Sequence, residues 1–435
     1  MARRRTYNPL NVFVNSRQVG VLEREKSGAI NFIYVDSWLD WHPAFPISIS
    51  LPLREDRYIG AEVTAVFENL LPDYEPIRKR VAERVGANGT DAFSLLTEIG
   101  RDCIGALQFI PDSVMPQPSN ELTGRELSDT DIGNILNQLD VTPLGIRRES
   151  EFRISIAGAQ DKTALLFHQG QWIEPTGATP TTHIIKPQIG KLSSGMDLSK
   201  SVENEFLCMK LMESFGLKTA HVEIAQFDKH KALIIERFDR KWSSSGLITR
   251  LPQEDCCQAL SIPPTRKYQS EGGPGIVEIM NILGGSDEPG KDRYDFFKAQ
   301  ILFWLIGATD GHAKNFSLAL SSQGRFRTTP LYDVLTLQPS YDKKQIPRKD
   351  FKMAMRVGRS NQYNVENIVG RHFQDTGVQS GLSRQTINDI FEDISTSADS
   401  ALQKTADSLP DTFPKVIFKS VSEAIKSRLP KLHAN

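Results

Sequence analysis

The chain has 435 residues, of which 39% are hydrophobic and four are cysteine. That is enough length and apolar content to bury a core without disulfides, and it excludes disordered, collagen-like and mucin-like classes. With 52 Lys and Arg against 53 Asp and Glu, the formal charge is −1, so no nucleic-acid-binding charge dominates, although a local basic patch is allowed.

The start, Met1-Ala2-Arg3-Arg4-Arg5-Thr6-Tyr7, is basic but lacks the apolar stretch of a secretory signal. The longest apolar run, Ile301-Leu302-Phe303-Trp304-Leu305-Ile306, is far below the ~18 residues of a membrane span. Cys103 and Cys208 stand alone and Cys256-Cys257 are adjacent, a pattern without metal-ligand spacing that suits a reducing compartment. A cytoplasmic protein with no membrane segment is expected.

Taken in chain order, residues 11–15, 19–22 and 29–35 are short β-rich runs separated by turn residues. A helical stretch is expected over 62–84, interrupted by Pro72 and Pro76, and a strand over 103–110. Three prolines within 111–120 mark a boundary. Strands are expected at 163–167, 183–186, 221–226 and 233–236, with a helix over 201–215 between the second and third. After Trp242-Ser243-Ser244-Ser245-Gly246 the chain becomes mainly helical, and 294–306, apolar on nearly every side, predicts a buried helix. The fold class is α+β and bilobal. Residues 1–115 form a small barrel-like β-rich subdomain, 116–150 a linker with helices, 151–238 a β-rich N-lobe, and 239–435 a helical C-terminal lobe. Ligands favour the cleft of such a plan.

The chemistry sits where the buried helix ends, in Gly307-Ala308-Thr309-Asp310-Gly311-His312-Ala313-Lys314-Asn315-Phe316-Ser317. Asp310 and Asn315 are separated by the interval found in the kinase catalytic loop, where the Asp accepts a hydroxyl proton and the Asn holds magnesium. Eighteen residues later, Leu331-Tyr332-Asp333-Val334 frames one carboxylate in an apolar run, as the main metal-binding Asp of a kinase requires. Magnesium takes hard oxygen ligands, one or two from protein and the rest from phosphate and water, so Asn315 and Asp333 suffice. An isolated Asp-x-x-x-x-Asn pair is an ordinary loop feature. The buried helix before it and the second Asp after it set this one apart.

Three weaker signals precede it. Phe152-Arg153-Ile154-Ser155-Ile156-Ala157-Gly158-Ala159-Gln160-Asp161-Lys162-Thr163 resembles a hairpin with a small-residue turn, open to phosphate oxygens. It is not a Walker A loop, because Asp161 rather than Gly precedes the Lys. Thr181-Thr182-His183-Ile184-Ile185-Lys186 ends an apolar strand with a lysine, and Glu203 and Glu205 both lie on the next helix as candidate partners. Ile234-Ile235-Glu236-Arg237-Phe238-Asp239-Arg240 closes the lobe, with the backbone of Glu236 to Phe238 where a hinge meets adenine. Each alone reads as an ordinary turn, strand end or connection; their order is that of a kinase.

These segments, with Leu251-Pro252-Gln253-Glu254-Asp255 and Phe67-Glu68-Asn69-Leu70-Leu71-Pro72-Asp73, resemble the HipA family over nearly the whole chain. The resemblance implies a serine/threonine kinase toxin of a bacterial toxin–antitoxin module that uses ATP and Mg2+. It implies Asp310 as proton acceptor and Asn315 and Asp333 on the metal. ATP would be held by Ala157, Gly158, Ala159, Gln160, Asp161 and Lys162, by Lys186, by Glu236, Arg237 and Phe238, and by His312, Ala313, Lys314, Asn315, Tyr332 and Asp333. Ser155 matches a serine whose autophosphorylation ejects the loop and inactivates the kinase. The implied substrate is a translation component, glutamyl-tRNA synthetase. The implied partner is a HipB-like helix-turn-helix antitoxin, through which the pair binds operator DNA as an autorepressor. Asp161 stands where the family pattern has Glu, and Val378 and Gly381 stand where it has basic DNA contacts. The alternatives are a small-molecule phosphotransferase of the same fold and a non-catalytic corepressor.

Overall fold

Strand Arg17–Arg24 buries Val19, Gly20 and Leu22 while Arg17 and Glu23 stay exposed, strict alternation being broken by a bulge opposite Val12 and Phe13 in which Val19 is the extra residue. In the computed structural model, which describes residues 8–114, 122–146, 154–158 and 160–434, it is the central strand of a five-stranded antiparallel sheet. The order is Tyr58–Ile59, Ile30–Tyr34, Arg17–Arg24, Leu10–Val14 and Leu107–Pro111. The barrel-like closure expected from the sequence is not formed among the described residues: the sheet is open, and its two-residue edge strand is too short to pair round to Leu107–Pro111. The helical stretch parts at the prolines as expected, into Ala61–Glu68 and Glu75–Val85, with Pro76 in the first turn of the second helix, where its missing N–H costs nothing.

The chain divides into two compact units, Met1–Pro187 with Ala225–Thr265 and Ser317–Phe326, and Gln188–Ile224 with Arg266–Phe316 and Arg327–Asn435. They cut across the boundary expected at residue 238. The first unit also holds a second sheet, in the order Val222–Phe227 (within which the division falls), His230–Glu236, His183–Pro187, Thr163–His168, Gln171–Pro175 and Gly124–Leu127. The segment expected as a linker is therefore built into this sheet. Strand Gly124–Leu127 pairs with Gln171–Pro175, and helix Asp129–Asn137 buries Ile132, Ile135 and Leu136 with Leu165, Ile185 and Ile234. Ser128 and Asp131 close a capping box at that helix's start, satisfying two otherwise orphaned donors.

In the second unit the expected buried helix runs Pro289–Ile306, and every residue from Phe296 to Ile306 is buried. Two charged groups are buried with it. Lys298 Nζ donates to the Phe215 carbonyl (2.5 Å) and to Asp393 Oδ2 (2.7 Å). Arg428 donates to the Leu305 carbonyl (2.9 Å), covering an acceptor that the helix end leaves open. No helix of the described residues is long and apolar enough to cross a membrane.

Candidate active site

In the first unit, the segment before strand Thr163–His168 is not the expected hairpin. Ile154 bridges Asp102 and Gly158 bridges Pro72, both in parallel, so this stretch runs beside two earlier loops; Phe152, Arg153 and Ala159 lie outside the described residues. Ser155 is fully buried, its amide bonded to the Asp102 carbonyl (3.0 Å) and its hydroxyl donating to the Leu70 carbonyl (2.7 Å). The Gly158 carbonyl accepts from the Asp73 amide (3.2 Å). Lys162 folds back so that its ammonium donates to the Ala157 carbonyl (2.6 Å). Gly158 sits at φ +110°, a conformation that strains any residue with a side chain, and a Cβ there would also displace that nitrogen, 2.4 Å away. Asp161 stands 3.8 Å from Arg80, and partial burial raises its pKa against the pull of that guanidinium. Gln160 Nε2 donates to the Pro187 carbonyl (3.1 Å), tying the loop to the strand that carries Lys186, itself buried and opposite Leu233.

The hinge differs from expectation at Arg237. Its amide already donates to the Thr182 carbonyl (2.9 Å), and its side chain is committed to a buried network. There Asp239 accepts from Nε (2.9 Å) and Nη2 (2.8 Å), and Asp102 faces Arg237, Arg240 and Arg250 at 3.3, 2.9 and 3.0 Å. The amide and guanidinium donors of Arg237 are thus engaged within the first unit. Burial would raise the Asp102 pKa, but Arg240, Arg250 and Arg237 outweigh it and hold the carboxyl well below its ordinary range.

In the second unit, the residues following Pro289–Ile306 converge on one amide. Asn315 Nδ2 donates to the Asp310 carbonyl (2.8 Å) and to the Asp333 carbonyl (3.4 Å), which leaves its Oδ1 as the oxygen to offer a cation. Asp333 sits at φ +58°, a left-handed conformation that Asp tolerates. Its segment is pinned on both sides: Leu331 exchanges backbone bonds with Lys218 and Ala220, both 2.8 Å, and Thr336 bonds Asn204 on helix Ser201–Ser214 (2.8 and 3.0 Å). The Tyr332 hydroxyl donates to the Lys314 carbonyl (2.7 Å). His312, Ala313, Lys314 and Asn315 are all buried, whereas the Asp310 side chain is 56% exposed.

Sequence reasoning missed Tyr268, whose hydroxyl donates to Asp310 Oδ1. The signal was Gly272-Gly273-Pro274-Gly275, a turn-rich run that begins four positions after an aromatic residue. A cavity of about 340 Å3 in the second unit, lined by Asn204, Pro339 and Ile417 among others, takes in none of the predicted residues. Val378 is exposed on helix Gly370–Gln379, and Gly381 lies just beyond at φ +79°, a backbone requirement that accounts for its identity.

The sequence matches the HipA N-terminal domain over residues 10–110 and the HipA-like C-terminal domain over residues 154–402. The chain belongs to the HipA family. The Y4mE protein of Sinorhizobium fredii is 33% identical over 408 residues, 92% of this chain and 94% of that one. The serine/threonine-protein kinase toxin HipA of Shewanella oneidensis is 26% identical over 319 residues, 70% of each chain. A solved complex of Shewanella oneidensis HipA, HipB and operator DNA contains a chain with the same fold (TM-score 0.80, 21% identity, 97% of this chain and 98% of that one).

Proposed function

We propose that the chain is an ATP-dependent protein serine kinase and the toxin of a toxin–antitoxin module. The observation that carries this is Asn315, whose amide ties together the backbones of Asp310 and Asp333 while its oxygen makes no hydrogen bond among the described residues. A metal-binding amide next to a metal-binding carboxylate and an exposed base is what phosphoryl transfer from ATP needs. A relative named as a serine/threonine-protein kinase toxin, HipA of Shewanella oneidensis, supports the reading.

Asp310 accepts the proton of the attacking hydroxyl as its oxygen bonds to the γ-phosphorus and the bond to ADP breaks. Asn315 Oδ1 and the Asp333 carboxylate would hold Mg2+, which when bound neutralises charge developing on the phosphate oxygens. Two oxygens fit an ion that completes its shell with phosphate and water; among the described residues no group of three or more His, Cys, Asp or Glu forms an all-protein cage. Gly158, Gln160, Asp161 and Lys162 are assigned to the phosphates with Lys186, and Glu236 and Phe238 to adenine. Ala157, His312, Ala313, Lys314 and Tyr332 complete the nucleotide set. Ser155 is proposed as the autophosphorylation site, a translation component such as glutamyl-tRNA synthetase as the target, and a HipB-like antitoxin as the partner through which operator DNA is bound.

Incubation with γ-labelled ATP and Mg2+, followed by peptide mapping, tests the assignment. Label on Ser155 or on an added protein, abolished by Asp310→Ala with antitoxin binding retained, is the expected result. Undiminished transfer by Asp310→Ala would remove Asp310 as base.

A further inference from the structure

Residues 266–275 form a closely determined loop of the second unit. The Tyr268 carbonyl accepts from the amides of Glu271 and Gly273, each at 3.0 Å. A Cβ on Gly273 would lie 2.0 Å from the Arg266 carbonyl oxygen and 2.8 Å from that of Tyr268, so the chain folds back here because no side chain is in the way. Gln269 Oε1 accepts from the Arg356 amide (2.8 Å) on strand Lys352–Val357, anchoring the loop to its neighbour. Such a loop presents its side chains at fixed places. The Tyr268 ring stands edge-on to His312, with centroids 4.9 Å apart and planes at 86°. Its hydroxyl donates to Asp310 Oδ1, and His312 Nε2 lies 4.0 Å from the same oxygen. Asp310 Oδ2 makes no hydrogen bond with any described residue.

We propose that Tyr268 is the positioning residue of the base, an inference that rests on the kinase reading above. An exposed aspartate with both oxygens free samples several rotamers, and each unproductive one subtracts from the rate. Tyr268 fixes the carboxylate by occupying Oδ1, which leaves Oδ2 to take the proton of the incoming hydroxyl. The substrate O–H bond breaks toward Oδ2 as the new O–P bond forms, and the electron pair of the cleaved P–O bond leaves with ADP. Tyr268 keeps its own proton throughout.

The test is steady-state transfer from γ-labelled ATP by wild type, Tyr268→Phe, Asp310→Ala and the double variant. Phenylalanine retains the ring against His312 and removes only the donor. The expected result is a fall in kcat of about 10- to 100-fold with KM for ATP within about twofold of wild type. The double variant should be no slower than Asp310→Ala alone, because both changes act through one carboxylate. Overturning results are an unchanged kcat, a raised KM at constant kcat, a loss that adds to that of Asp310→Ala, or a gain in kcat, which would make Tyr268 a plug on the base. If wild type itself transfers no phosphate, the kinase reading falls and takes this inference with it. If wild type is active and Tyr268→Phe matches it, this inference alone fails.

Discussion

The hydroxyl of Ser155 and the carbonyl of Leu70 form a hydrogen bond of 2.7 Å in an interior that leaves Ser155 no exposed surface. A phosphate of charge about −1.5 to −2 cannot occupy that place, since its desolvation would be opposed by a backbone acceptor rather than by donors. Phosphorylated Ser155 is therefore expected outside, with the 154–162 segment released and ATP affinity lowered. Equal ATP affinity in the modified and unmodified protein, by calorimetry, would refute this. Ser155→Ala leaves the Leu70 carbonyl without its donor and should cost about 1 kcal/mol of stability, measured as a shift in urea midpoint.

Asn315 has two tasks that substitution can separate. Asn315→Asp keeps an oxygen for a metal but deletes the donor to the Asp310 and Asp333 carbonyls; Asn315→Ala deletes both. Each should lower kcat by about 10²-fold or more, the scale of losing one preorganised group at a reacting phosphate. Raising the Mg2+ concentration should recover part of the loss in Asp333→Ala, and none in Asn315→Asp if anchoring is the dominant task. Full recovery of Asn315→Asp in a Mg2+ titration would assign the residue to the metal alone.

What the sequence made legible was local. The apolar run before Gly307 announced the buried helix, and Pro72 and Pro76 announced the break between Ala61–Glu68 and Glu75–Val85. Asp310, Asn315 and Asp333 could be named because their spacing is short and their frame apolar. Long-range pairing was not legible. Nothing in Gly124–Leu127, a run with two charged residues of its four, signals the edge of a sheet whose next strand begins at Gln171. The commitment of the Arg237 side chain was not legible, because two of its partners, Asp102 and Thr181, lie 135 and 56 positions before it, and a guanidinium bonded to distant groups cannot be told from one held ready for a ligand by neighbours in sequence. Tyr268 was missed for the same reason, 42 residues from the carboxylate it touches.

The Asp102 network makes the first unit sensitive to one carboxylate. Three guanidiniums share two carboxylates, and further donors go to the Thr181 hydroxyl (2.8 Å) and to the carbonyls of Cys103, Gly105 and Ala178 at 2.8, 2.8 and 3.0 Å. Asp102→Asn removes the charge but keeps the backbone acceptor of Ser155, and should destabilise by roughly 3–5 kcal/mol because the arginines stay buried and underpaired. The native pKa lies below the ordinary one, so this stabilisation is present above the ordinary carboxylate range and lost as pH falls through the native value. Wild type should lose stability on acidification below about pH 4 more steeply than Asp102→Asn, and parallel urea midpoints from pH 5 to pH 2.5 would contradict the assignment.

Glu254 titrates in the opposite sense. It is buried in the first unit with Oε1 accepting the Ile49 amide (2.8 Å), and burial pushes its pKa up from 4.5 to about 8. Between those values the unfolded chain gives up the proton while the native protein keeps it, so native stability falls as pH rises from about 4.5 to about 8 and is level beyond. A shift of that size corresponds to something on the order of 5 kcal/mol across the window. Glu254→Gln retains an oxygen for the Ile49 amide and cannot ionise. It should match wild type near pH 5, exceed it above pH 8, and lack this slope between the two. Chemical denaturation at half-unit intervals reads the difference directly, and a wild type more stable than Glu254→Gln at pH 8.5 would mean that the buried carboxylate is held charged by a partner and not neutral by its surroundings.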